Sequence, residues 1–125
     1  MRRLLVAQTV VLPDRLLTPG AVLVEDNVIV KVGSCLENEV FDEMEDFGDA
    51  ILSPGFFDIH IHGCMGQMPE ESAEAVLHLS HFLPSTGTTS FLATAMTKKG
   101  LIHAEQAMSL PQKAQIKGIF MEGPF

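Results

Sequence analysis

The sequence predicts a mixed α/β protein, a parallel α/β sheet preceded by a small all-β unit, on three observations. Valine-rich runs bounded by glycine fill much of the first fifty residues. From residue 51 onward, strand-like apolar runs alternate with helical patterns. The first of those runs, "SPGFFDIHIHG" over residues 53–63, stays apolar until it meets two histidines one residue apart. Strand, helix, strand, helix, strand is the sequence signature of parallel strands joined by crossover helices.

Taken in order, residues 3–12 read as one β run that ends at Pro13–Asp14. "GAVLVEDNVIVKVG", residues 20–33, reads as a hairpin: two valine-rich strands flank an Asp26–Asn27 turn, with glycine at both outer ends. "ENEVFDEMEDFGDA" is acidic and weakly patterned, a short strand and connector. "ILSPGFFDIHIHG" reads as a single strand whose continuous apolar character suits burial on both faces. "PEESAEAVLHLSHFL" is helical, with Pro69 in the first turn and Ala73, Val76, Leu77 and Leu83 at helical spacing. "STGTTSFLATAMT" is a second strand, "KKGLIHAEQAMSL" a weaker helix, and "IKGIFMEGPF" a third strand. The organisation is therefore a β segment over residues 1–50 and an α/β segment over residues 51–125. A closed (β/α)8 barrel takes about 250 residues, so residues 51–125 read as its first three βα units, an incomplete barrel.

Composition removes several functions. Sixteen acidic against eight basic residues give a net charge of -8, with no basic stripe for a nucleic-acid backbone. Cys35 and Cys64 are the only cysteines, which suggests free thiols and no disulfide framework. No run approaches the ~18 apolar residues of a membrane span. The opening "MRRLLVAQTVVLPDRLL" reads as a strand because Gln8, Thr9, Pro13 and Asp14 interrupt it. A cytoplasmic protein without nucleic-acid or membrane partners is the expectation.

Barrel chemistry sits at the carboxyl ends of the strands. Alternate residues of a strand share a face, so His60 and His62 point one way and Ile61 the other. Glu122 stands at the end of the third strand and faces the same opening. Two imidazoles and a carboxylate are a donor set for a divalent ion. The rival reading is a pair of rim histidines bonded to backbone groups, with Glu122 solvated. Asp58, two residues before His60, is a candidate to orient the site from behind the ligands, or a strand cap. Cys64, just past the pair, is a candidate neighbour of the metal, or an inert thiol. His78 and His81 are neighbours on a helix face and read as ordinary surface residues, as does His103. Thr88, Thr89 and Thr94 carry hydroxyls on the second strand that either line the pocket or simply suit a strand.

"SPGFFDIHIHG", "STGTTSFLAT" and "GIFMEGPF" together resemble the amidohydrolase superfamily, and within it the N-acetylglucosamine-6-phosphate deacetylases. The "EGPF" after the third strand points to that branch. The resemblance covers nearly the whole chain and implies a small β-sandwich segment beside the barrel, formed by residues 1–50. It implies a metal-dependent hydrolase that removes acetate from N-acetylglucosamine 6-phosphate in amino-sugar catabolism. Glu122 is then the ligand of the catalytic metal, and His60 and His62 match the pair that some members use for a second ion. Zinc is the first expectation for the metal, with iron, manganese or cobalt as alternatives. The full-length enzyme is expected to be a homo-oligomer. No catalytic residue is expected within these 125 residues: the proton-transferring carboxylate and the remaining ligands belong to later strands, so the chain alone is expected to be inactive. Family members usually carry a histidine two residues before the glutamate, where this chain has Phe120. Two alternatives stay open: another metal-dependent amidohydrolase, and a non-catalytic truncated isoform that binds a partner.

Overall fold

The computed structural model describes residues 1–123, so the Pro124–Phe125 half of the "EGPF" motif lies outside the described residues. The chain forms two compact units, residues 1–54 and residues 55–125.

The first unit is all β. Its strands are β1 (Arg2–Ala7), β2 (Thr9–Val11), β3 (Leu16–Leu17), β4 (Gly20–Glu25), β5 (Val28–Gly33), β6 (Glu43–Asp46) and β7 (Ile51–Leu52). They make two sheets, ordered β5-β4-β1-β6 and β3-β2-β7. The hairpin read from residues 20–33 is β4 and β5, turning at Asp26 with a φ of 52°. Leu4, Ala21, Leu23 and Leu36 form the buried core, with Val6 and Phe41 packed against it.

Two sequence expectations are corrected in this unit. The single strand over residues 3–12 divides at Gln8. Its N–H bonds to the Gly48 carbonyl at 2.8 Å, and Thr9 then turns to pair with β7 while β1 stays beside β4 and β6. The run from residue 51 is likewise two strands. Thr9 and Val10 pair with Ile51 and Leu52, which draws those two residues into the first unit and moves the boundary from residue 50 to Pro54. Apolar character alone does not say which neighbour a short strand will pair with.

The second unit is α/β. It contains β8 (Phe56–Ile61), α1 (Ala73–Phe82), a 3-10 turn over Leu83–Thr86, β9 (Thr88–Ala95), α2 (Lys98–Met108) and β10 (Gln115–Met121). The sheet order is β10-β9-β8, with both pairs parallel. α1 starts at Ala73, four residues after Pro69, where its first turn was expected. Ser72 caps it by accepting the Ala75 N–H at 3.1 Å, and Pro69 lies outside the helix, fully buried. A hydroxyl that can satisfy a free helix N–H outweighs the weaker preference of proline for a first turn. The buried face of α1 is Ala75, Val76, Leu79 and Ser80. With Leu83, Phe91, Ala93, Ala104, Ala107, Ala114 and Ile116, its apolar residues close one side of the sheet. Ser80 is fully buried yet satisfied: its Oγ donates to the Ala114 carbonyl at 2.7 Å and accepts the Lys113 N–H at 3.0 Å, tying α1 to the approach of β10.

β8 is not covered on both faces, as its apolar run had suggested. It is an edge strand of this sheet, and Phe56, Phe57 and Ile59 are more than half exposed. Among the described residues no helix is long and apolar enough to cross a membrane.

Candidate metal centre

The site begins with the strand registers. Ile61 on β8 is level with Ala93 on β9, and Ala93 with Ile119 on β10. Ile61 and Ile119 both pack against the core that holds Ala93. One residue further along each strand the side chains point to the opposite face. That next row is His62, Thr94 and Phe120, and Glu122 follows two residues later on Phe120's side. The ladder continues to it, since the Glu122 N–H bonds the Ala95 carbonyl at 3.1 Å.

Three polar ends meet on this face. His62 Nε2 lies 2.9 Å from Glu122 Oε2, His60 Nε2 lies 3.6 Å from the same oxygen, and the two Nε2 atoms are 3.1 Å apart. Among the described residues this triad has its ligand atoms all within 4.8 Å of one another. Ligands about 2.1 Å from one tetrahedral ion stand about 3.4 Å from each other. The observed separations bracket that value, so the donor set fits a divalent ion in both chemistry and spacing. All three side chains are roughly 40% exposed, which leaves the centre open to solvent and to a substrate.

Neighbouring residues shape the triad. The Phe120 ring stacks on the His60 ring, with centroids 4.5 Å apart and planes tilted by 25°. Phe120 therefore gives His60 a flat apolar support in place of a further nitrogen. Gly63 lets the chain leave β8 directly after His62. Its φ is 155°, and a Cβ there would collide with the Gln67 carbonyl. The loop folds back through Cys64, which exchanges backbone bonds with Gln67 at 3.1 and 2.9 Å. A cavity of about 340 Å3 lies beside His62, lined by Gly63, Cys64, Gly66, Gln67 and Met68.

The expected outer residues fall elsewhere. β8 spends three residue steps, Asp58 to Ile61, where β9 spends two, Phe91 to Ala93. This bulge breaks the strict alternation that would align Asp58 with His60. The Asp58 carboxylate accepts the His60 backbone N–H at 3.0 Å, so it steadies the bulge and touches neither imidazole ring nitrogen. Cys64 packs against the apolar core and is not among the triad's ligand atoms; burial pushes its thiol up, away from the thiolate form. His78 and His81 lie exposed on α1, and the His103 ring sits 3.3 Å from the Pro69 carbonyl. Thr88 and Thr94 are buried, whereas Thr89 is exposed.

Two residues carry more of the arrangement than the sequence suggested. Phe120 stands out in the sequence only as a departure from a family pattern, although strand alternation from Glu122 places it in the site's row. Glu70 had no local signal at all. Its carboxylate accepts the N–H groups of Met96 at 2.6 Å and Thr97 at 3.3 Å, and the Thr97 hydroxyl. Burial alone raises its pKa, but these bonds and one from the Gly100 backbone outweigh burial and hold the carboxyl below its ordinary value. The loop after β8 is thereby fastened to the start of α2. Gly100 is buried against the clamp, and a Cβ there would overlap the carboxylate.

A parallel α/β unit that brings two histidines and a glutamate together at the carboxyl ends of its strands offers a donor set for a divalent ion. The amidohydrolase family matches residues 51–125, and the chain belongs to that family. It is 32% identical over 128 residues to the N-acetylglucosamine-6-phosphate deacetylase of Bacillus subtilis (strain 168), covering 93% of this chain and 32% of the relative. The Mycobacterium smegmatis N-acetyl-D-glucosamine-6-phosphate deacetylase D267A mutant, in complex with N-acetyl-D-glucosamine-6-phosphate, superposes with a TM-score of 0.72 at 32% identity, over 98% of this chain and 33% of that one. The Pasteurella multocida deacetylase matches in fold, with a TM-score of 0.74 at 23% identity over all of this chain and 35% of its own. The chain thus spans about a third of the length of these relatives.

Proposed function

We propose that the chain supplies the metal-binding wall of a metal-dependent deacetylase that removes acetate from an N-acetylated amino-sugar phosphate, N-acetylglucosamine 6-phosphate. The observation that carries the reading is the convergence of His60 Nε2, His62 Nε2 and Glu122 Oε2 from two strand ends onto one point. In this reading the α/β unit corresponds to the first three βα units of a (β/α)8 barrel, and residues 1–50 to a sandwich segment beside it. The M. smegmatis complex with the sugar phosphate supports the substrate class.

His60, His62 and Glu122 would hold the ion, with zinc the first choice for two imidazoles and a carboxylate. A divalent ion at such a site polarises an amide carbonyl and lowers the pKa of bound water. The chain's own residues do the rest. Glu122 brings a negative charge that offsets the cation, Phe120 keeps the His60 ring flat against it, and the Cys64–Gln67 turn walls the cavity where a small substrate sits. Proton transfer to the departing amine calls for a further carboxylate beyond these ligands.

The test is a zinc titration by calorimetry of the 125-residue chain, of a His60→Ala, His62→Ala double variant and of Glu122→Ala. The wild type should bind zinc, and each variant at least about tenfold more weakly. Wild-type binding should weaken as pH falls, because protons compete for the imidazoles. Equal affinity in wild type and double variant would sink the metal reading. Acetate release from N-acetylglucosamine 6-phosphate by these residues alone, abolished by Glu122→Ala, would show that the proton-transferring group lies within them.

A further inference from the structure

The row His62, Thr94, Phe120 contains a polar atom that the site as described does not use. Thr94 is 1% exposed, and its Oγ1 is fully enclosed with no hydrogen-bond partner among the described residues. Leaving a buried hydroxyl unpaired carries the cost of stripping it of water with nothing in return. Valine would fill the same volume on the same strand without that cost. A group kept at such a cost in the middle of the sheet calls for a partner.

The register limits where the partner lies. On β10, Thr94 is level with Phe120, which offers no polar atom. On β8, Ile61 is level with Ala93, so the next residue, His62, falls beside Thr94. Side-chain roots on adjacent strands stand about 5 Å apart. At that spacing a threonine Oγ1 and a histidine Nδ1, both close to their Cβ atoms, come within hydrogen-bond reach. The polar contacts of His62 run through Nε2, to Glu122 and to His60. A histidine that ligates a metal through one nitrogen donates the N–H of the other to an oxygen, which fixes its tautomer and orientation.

We infer that Thr94 is a positioning residue for the proposed centre: its Oγ1 accepts the Nδ1–H of His62 when His62 Nε2 binds the ion. The inference rests on the metal reading above and extends it to a residue on the central strand that contributes no ligand. Binding of an ion then gives the enclosed hydroxyl its partner. β9, which supplies no member of the triad, becomes the strand that sets the angle of the ring.

The test uses the 125-residue chain with zinc as the probe. Thermal unfolding without metal and zinc calorimetry are measured for wild type, Thr94→Val and Thr94→Ser, and for Thr94→Val in a His62→Ala background. Thr94→Val should unfold at the same temperature as wild type or higher without metal, yet bind zinc about tenfold more weakly. Thr94→Ser should keep wild-type affinity. In the His62→Ala background, adding Thr94→Val should change zinc affinity no further. Nitrogen-15 spectra of the zinc-bound wild type should show His62 protonated at Nδ1, with that proton exchanging faster in Thr94→Val. Wild-type affinity in Thr94→Val, or a further loss without His62, overturns the inference and leaves the metal reading standing. A metal-free Thr94→Val that is clearly destabilised also overturns it, because the hydroxyl would then have a structural partner already. A wild type that binds no zinc overturns both.

Discussion

Two consecutive rows of side chains cross the same three strands and have opposite fates. Ile61, Ala93 and Ile119 pack with the core beneath α1 and α2. His62, Thr94 and Phe120, one residue further along each strand, face away from it beside Glu122. The backbone is shared, and only the alternation of the strand separates the apolar layer under the helices from the layer that carries the site. A slip of one residue would exchange the two rows. The site's precision therefore depends on whatever pins the register: the helix-covered layer, the bulge at Ile59–His60, and the clamp across the loops.

The largest effect is expected on the covered side. Phe91 is completely buried in the core under the helices, and Phe91→Ala should cost about 3–5 kcal/mol. Denaturant unfolding of the second unit measures it. A loss below about 1 kcal/mol would mean that the helix-side layer does not hold the sheet in register.

The loop clamp comes next. Glu70→Gln removes the charge from its hydrogen bonds to Met96, Thr97 and Gly100, and should cost about 2 kcal/mol at neutral pH. The sign with pH follows from the direction of the shift. The folded-state pKa of Glu70 is lowered, so its stabilisation is complete above the ordinary glutamate value of about 4.3 and is lost as pH falls through the lower folded value. The gap in unfolding temperature between wild type and Glu70→Gln should accordingly close in acid. A gap that stays constant from pH 7 to pH 3 would show that the carboxylate charge is not what fastens the loop.

The smallest effect on stability is expected on the open side. Phe120→Leu keeps an apolar side chain but removes the ring stacked on His60, and should change stability by less than about 1.5 kcal/mol. Zinc affinity should nonetheless fall several-fold, and the His60 ring protons should lose their upfield ring-current shift. A stability loss as large as that of Phe91→Ala would erase the difference between the two faces.

Much of this was legible in local pattern. The valine hairpin, the alternation of strands with helices and the placing of His60, His62 and Glu122 at strand ends all follow from periodicities of two and 3.6 residues. The start of α1 falls at the Ser72 cap and not at Pro69, because proline is the weaker signal. Residues 51–63 carry the pattern of one strand, yet β7 pairs with β2, because apolar character carries no information about partner choice.

The sequence by itself determined which residues have strand or helix character and which side chains bring nitrogen or carboxylate ligands, because those properties depend on neighbours a few residues away. Tertiary structure alone decided that Glu122 comes within 2.9 Å of His62, sixty residues earlier in the chain. It also decided that Glu70 reaches across to the start of α2, that a bulge turns Asp58 to the His60 backbone, and that the Thr94 hydroxyl lies enclosed. Each of these depends on the register between strands, which is set by side chains packing at long range and leaves no mark in the order of residues along one segment.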